Sequence, residues 1–272
     1  MLAWGRAECD VTDCATIAPL IAAARPDVVV NATGYTAVDR AEGDRQGAEL
    51  LNAVAVAALA EASAMVGAVF VHCSTDYVFD GTRSQGWGEH DTPNPLSVYG
   101  CSKLRGEEQV QSIAEQYPGW RWYIVRTSRL FGDPGRSESA KRPFLASIFA
   151  RAETQDRIEV IDADMASPTY VDDLARAIAE LVLARVASGI YHRTNDGACT
   201  WYGFARSALA RVGWKGVVLP IPPSQYARPA PRPAYSVLRT TKLPPLRPWE
   251  SALQEYLAMS PSALQLRSLQ VR

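Results

Sequence analysis

Lysine is scarce in this chain, supplying four of the 28 basic residues against 24 arginines. No run of basic residues occurs and the formal net charge is −1, which excludes a nucleic acid or other polyanion as the main partner. The five cysteines (Cys9, Cys14, Cys73, Cys101, Cys199) are an odd set without metal-ligand spacing. They predict no disulfide framework and no metal site, and read as the reduced thiols of a cytoplasmic protein. No signal peptide opens the chain. An unbroken apolar span is missing too. The run from Ala53 to Val71 is interrupted by Glu61 and Ser63, and Gly67 parts a helical pattern from a strand pattern. Helix-then-strand is the reading, not a membrane span. What remains, 47% hydrophobic and 21% charged residues over 272 positions, suits a globular chain of one large domain or two modest ones.

The stretch with chemistry in it runs from Ser74 to Lys103. Ser74-Thr75-Asp76-Tyr77 follows a strand-like segment, Ala68–His72, and Tyr99-Gly100-Cys101-Ser102-Lys103 opens a helix reaching Gln116. Tyr99 and Lys103 are four apart and share one helix face. Thr75, at the carboxyl end of a neighbouring strand, reaches the same point. A phenol, an ammonium and a hydroxyl suit reversible proton delivery to a carbonyl while a cofactor supplies hydride. An ammonium about 4 Å from a phenol of pKa about 10 contributes on the order of 4 kcal/mol at an effective dielectric of about 20, enough to bring the phenol toward working pH.

Around this stretch, strands and helices alternate. A helix is predicted over Asp10–Arg25, capped by Asp10 or Thr12, with Ile17, Leu20 and Ile21 as its stripe. Val28–Ala32 reads as a strand buried on both faces, ending in the small-residue turn Thr33-Gly34-Tyr35-Thr36. A long Ala-rich helix over 48–65 follows, then the strands at 69–72 and 122–126 flanking the Tyr99 helix. This rhythm predicts an α/β fold, a doubly wound parallel sheet, with ligands beyond the carboxyl ends of the strands. Later segments read as a polar loop (132–142), a helix (144–153), a strand (158–161), an amphipathic helix (171–186), a strand (189–193) and a helix (201–212). A proline-rich extended stretch (220–233), a last helix (249–258) and a frayed tail beyond Ser260 complete the pattern.

Several strings carry a family likeness: Cys9–Asp13, Arg25–Ala32, Tyr35–Asp39, Ser74-Thr75-Asp76-Tyr77-Val78-Phe79-Asp80-Gly81, Pro93–Gly100, Ser167–Tyr170 and Arg232-Pro233-Ala234-Tyr235-Ser236. On these the chain resembles the dTDP-4-dehydrorhamnose reductases, extended members of the short-chain dehydrogenase/reductases, from near Arg6 to about Tyr256. The resemblance implies a Rossmann-like part at 1–130, a substrate-binding lobe at 131–258 with return segments to the sheet, and a tail at 259–272. It implies NADPH- or NADH-dependent reduction of a 4-keto sugar on thymidine diphosphate, yielding dTDP-L-rhamnose for surface polysaccharide. Tyr99 would be the proton donor, Lys103 would acidify it and hold the nicotinamide ribose, and Thr75 would bond the keto oxygen. Asp76 and Arg129 would meet the substrate. Asp10 and Val11 would border the adenine, with Ala32, Thr33, Gly34, Tyr35 and Ser74 along the cofactor.

The sequence departs from the family at three places. The glycine-rich turn that seats a pyrophosphate is missing, because Leu2-Ala3-Trp4-Gly5 aligns with the family's second strand. The expectation is a misassigned or truncated start, or a decayed copy, with the first βα unit missing. The family's tryptophan after Arg-Thr-Ser is Arg129, its Asn-Phe around the loop helix is Pro143-Phe144, and its Gln-x-Gly-Ser-Pro-Thr string is Met165-Ala166-Ser167-Pro168-Thr169. Two other readings stay open: a non-catalytic regulatory or scaffold homologue, and a reductase or epimerase of another activated sugar. Oligomeric state is open, a homodimer included.

Overall fold

The computed structural model describes residues 2–135 and 142–270. The first helix, α1 (Cys14–Ala24), buries Ile17 and Ile21 and accommodates Pro19. The cap expected from Asp10 or Thr12 is not made. The Asp10 carboxylate instead accepts from the Thr12 amide and hydroxyl, a local turn that delays the helix to Cys14. Leu2–Gly5 forms no strand.

After β1 (Val28–Asn31) come the short helices α2 (Val38–Ala41) and α3 (Arg45–Glu49). The latter passes through a π-helical turn, Leu50–Val54, into α4 (Ala55–Met65). The segment Arg45–Met65 is apolar and long enough to cross a membrane, yet α4 packs against α1 and β2 in the core. Gly67, with φ +73°, lets the chain turn into β2 (Val69–Thr75). Next are α5 (Val98–Gln116), whose first turn is capped by Ser97 Oγ accepting from the Gly100 amide at 3.1 Å, and β3 (Trp122–Thr127). The second half brings β4 (Leu130–Phe131), α6 (Phe144–Ala152), β5 (Arg157–Ile161), β6 (Thr169–Tyr170), α7 (Val171–Leu183) and β7 (Gly189–His192). It ends with α8 (Trp201–Arg211), β8 (Val217–Ile221), α9 (Trp249–Met259) and α10 (Pro261–Gln270).

The main sheet has the order β1-β2-β3-β7, all parallel, with Thr75 paired to Thr127. Side chains alternate across it. Phe70 and Ile124 join the layer of α1, α4 and α5, while Val69, Val71, Tyr123 and Val125 pack against Leu174 and Leu181 of α7. Helices on both faces make the sheet doubly wound, as expected. Strand β1 departs from expectation. It lies at the edge, and Val30, which points to the α7 side, is 49% exposed because no helix reaches that far.

A second apolar cluster gathers α6, α8, α9 and the parallel pair β5–β8. The frayed tail gives way to a further helix: Ala263 and Leu266 of α10 are fully buried in this cluster, and α10 packs on α6 and α9. The polar loop expected over 132–142 falls mostly on residues 136–141, outside those described.

Candidate active site

The carboxyl ends of β1, β2 and β3 and the first turns of α5 converge as the strand–helix alternation predicts. Gly100 lets α5 close on this point, since an added Cβ would come 2.3 Å from the Tyr77 carbonyl oxygen. Thr75, Tyr99 and Lys103 are brought together there, but not as a phenol–ammonium pair. Burial pushes the Tyr99 phenol up to about 12, and a hydrogen bond with Thr75 only partly opposes it. Lys103, 4% exposed, gives its Nζ to the Cys73 carbonyl at 2.7 Å and lies 3.1 Å from His72 Nε2. Burial draws this amine down to about 8. Desolvation is thus the largest influence on both groups, and the amine is bonded to β2.

Thr75 also caps a 3₁₀ turn, accepting from the Tyr77 amide at 3.2 Å and donating to Asp76 Oδ1 at 3.2 Å. Asp76 is buried, and burial raises its carboxyl although Ser236 and Ser128 both donate to Oδ2. The Tyr77 ring meets Tyr99 edge-on at 5.6 Å. Arg129 takes a left-handed backbone, φ +41°, donates to the Cys199 carbonyl at 2.6 Å and stacks on Trp201 at 4.3 Å. Asp76, Tyr77 and Asp164 are its electrostatic neighbours, so it belongs to the same cluster.

Thr33, Gly34 and Tyr35 follow β1 beside this group. Thr33 folds back on Asn31 through its amide and hydroxyl, and the Tyr35 ring packs with Tyr99 and Val98. Ser74 behaves otherwise: its hydroxyl donates to Glu107 Oε1, inside the buried Glu107–Arg126 ion pair on the α5 face. Asp10 and Val11 stay with α1, where Val11 packs near Ile17 and Val56, and no hydrogen bond joins them to the Tyr99 group among the described residues.

Residues that the sequence reading missed complete the site. Asn52, fully buried in the π-helical turn, accepts from the Tyr35 amide at 2.8 Å and donates to Ser102 Oγ at 2.9 Å. Ser236 closes the Arg-Pro-x-Tyr-Ser string, which alone could have flagged it. Arg232 of the same string grips Asp39 with two nitrogens, at 3.0 and 2.7 Å, pinning the proline-rich segment to α2.

These groups fit one half of a nicotinamide dinucleotide. Tyr99, Lys103 and the buried, unpartnered Thr127 Oγ1 beside Thr75 offer hydrogen bonds to a ribose and a carboxamide. No described residue forms a glycine-rich turn for the pyrophosphate. A hollow of about 610 Å³ at the amino ends of the strands, lined by Arg25, Asp27 and Arg121, carries none of this chemistry.

Comparison with known proteins agrees with this geometry. Residues 1–261 match the family described as the RmlD substrate binding domain. A dTDP-4-dehydrorhamnose reductase of Burkholderia thailandensis is 38% identical over 256 residues, covering 88% of this chain and 82% of the relative. The spore coat polysaccharide biosynthesis protein SpsK of Bacillus subtilis is 37% identical over 243 residues, covering 88% and 81%. The crystal structure of a dTDP-4-dehydrorhamnose reductase from Bacillus anthracis in complex with NADP superposes with a TM-score of 0.87 at 31% identity, covering 94% of this chain and 89% of that one. With the strand ends, the Tyr99 group and these matches in agreement, the chain belongs to the dTDP-4-dehydrorhamnose reductase family of oxidoreductases.

Proposed function

We propose that this chain reduces dTDP-4-dehydro-6-deoxy-L-mannose (dTDP-4-dehydrorhamnose) to dTDP-L-rhamnose with NADPH or NADH, Tyr99 donating the proton. The observation that carries the reading is the Tyr99 phenol hydrogen-bonded with the Thr75 hydroxyl at the carboxyl end of β2. A phenol kept near 12 is an intact acid at neutral pH, ready to protonate an oxygen as negative charge develops on it. Thr75 offers that oxygen a second hydrogen bond and so stabilises the same charge. The nicotinamide, when bound, supplies hydride to the carbonyl carbon. Lys103 holds its ribose, with Ala32, Thr33, Gly34 and Tyr35 along its path and Asp10 and Val11 toward the adenine. Asp76, aligned by Ser128 and Ser236, accepts sugar hydroxyls, and Arg129 faces the nucleotide-sugar phosphates. Five free thiols and a nucleotide-sugar substrate suit the cytoplasm.

The test is turnover of dTDP-4-dehydrorhamnose with NADPH and with NADH, read by loss of nicotinamide absorbance and by identification of dTDP-L-rhamnose. Turnover of a different activated keto sugar alone would move the substrate assignment and leave the chemistry. No turnover together with unchanged NADPH fluorescence would replace the reductase reading by a regulatory or scaffold role.

A further inference from the structure

The hydrogen bonds around His72 fix where its proton sits. His72 is fully buried on β2, its ring stacked with Phe70 at 6.5 Å, and each ring nitrogen faces one neighbour. Nδ1 faces Asn31 Nδ2 at 3.2 Å. The Asn31 amide cannot be turned over, because its Oδ1 accepts from the Thr33 amide at 3.0 Å and the Thr33 hydroxyl at 2.7 Å. Asn31 is thus a donor toward Nδ1, and Nδ1 carries no proton. A neutral imidazole then has its proton on Nε2, the nitrogen 3.1 Å from Lys103 Nζ. An ammonium there would set donor against donor. A free amine satisfies every partner, accepting from Nε2–H and donating to the Cys73 carbonyl at 2.7 Å.

We propose that His72 is a positioning residue for Lys103, with its Nε2–H, fixed by Asn31, holding the lysine on β2 as an uncharged amine in the ligand-free protein. The proposal concerns the lysine of the site described above and rests on that reading only for its consequence. An uncharged Lys103 leaves Tyr99 protonated at rest, so the acid stays loaded until a ligand draws the amine away from His72. The other groups facing Lys103 agree. From β2 come His72, itself kept from protonation by burial, and the Cys73 thiol, which burial pushes up. From α5 come Tyr99 and Glu107, whose charge is already met by Arg126 of β3 and Ser74. Asn31 of β1 and Asn52 of the π-helical turn are uncharged. Gly106 makes room for the arrangement: an added Cβ would stand 2.1 Å from the Asn52 carbonyl oxygen and 3.5 Å from His72 Nε2.

The sparse composition makes the test practical, since the chain has four lysines and three histidines. The ligand-free full chain is labelled on lysine Nζ and Cε and on the histidine ring nitrogens, and titrated by NMR. The expected result is a His72 Nε2–H tautomer and a Lys103 midpoint below about 7, more than about three units under an ordinary lysine. In Asn31→Asp the new carboxylate should accept from a proton on Nδ1, reverse the tautomer and raise the Lys103 midpoint by about one unit or more. In His72→Gln an amide oxygen can accept from the ammonium, and the midpoint should rise likewise. A wild-type His72 carrying its proton on Nδ1, or a Lys103 titrating with the other lysines, overturns the proposal. Because none of these readouts needs turnover, an inactive protein would count against the reductase reading without touching this one.

Discussion

At the residue scale, the proposed chemistry rests on the Tyr99 phenol, which burial pushes up to about 12. Tyr99→Phe removes the phenol's proton and little else. Turnover should fall by about 10²- to 10⁴-fold, the usual worth of a positioned general acid, while NADPH titrated by fluorescence binds as before. Unchanged turnover would take Tyr99 out of the chemistry. Asp76 makes a second test. Its buried Oδ2 accepts from two serine hydroxyls, and Ser236→Ala removes one of these. Losing a hydrogen bond to a buried carboxylate costs about 1.5–3 kcal/mol. The urea midpoint should fall accordingly, and an unaltered midpoint would mean that Ser128 alone satisfies the charge.

At the scale of elements, the sequence was most legible where periodicity is strong. The strands at Val69 and Trp122, the helices at Val98, Val171 and Trp201, and the convergence of Thr75 with Tyr99 all follow from apolar spacing and the parallel-sheet rule. What it could not give was the state of the site. Spacing places Lys103 on the Tyr99 face, but the amine's partner depends on His72 and Cys73, brought there by a strand 30 residues away in the chain. The strand end at Ser74 is plain in the sequence, whereas Glu107 of α5, which accepts from its hydroxyl and is itself paired with Arg126 of β3, is not. Asn52 was hidden inside a helix pattern that gives no sign of a π-helical turn. Helix α5 meets that turn at Gly106. Gly106→Ala gains roughly 0.5–1 kcal/mol of helix propensity, but its Cβ would stand 2.1 Å from the Asn52 carbonyl oxygen. Backbone cannot yield as a side-chain tip does, so overpacking of about 1–3 kcal/mol should outweigh the gain. Chemical denaturation should show a net loss of stability, and a more stable variant would show that the two helical segments are free to part.

At the scale of the whole molecule, two buried histidines tie the fold to pH. His192, at the end of β7, lies 3.1 Å from both the Trp87 and the Arg239 carbonyl oxygens through Nδ1, and its backbone amide donates to Glu89. It therefore joins three distant segments. Burial, reinforced by the Arg126 charge, draws His192 from 6.5 to about 4, and burial lowers His72 in the same direction. In each case the folded value lies below the unfolded one, so the unfolded chain takes up a proton that the folded chain refuses. The histidine contribution to stability is thus complete above about 6.5 and is lost as pH falls below it. For His192 alone the shift is worth about 3 kcal/mol, and the slope for each histidine reaches about 1.4 kcal/mol per pH unit. The carboxylates drawn down by their partners, Asp39 by Arg232 and Asp80 by Thr82 and Asn94, add their loss below the ordinary carboxylate range, beneath the histidine window. Asp76, whose carboxyl burial raises, works in the opposite direction, so urea midpoints between pH 7 and 4.5 should fall with a slope of at most two protons. His192→Gln should lower the curve as a whole but flatten it by one proton, and a slope unchanged in that variant would show that His192 takes up its proton as readily in the folded chain as in the unfolded one.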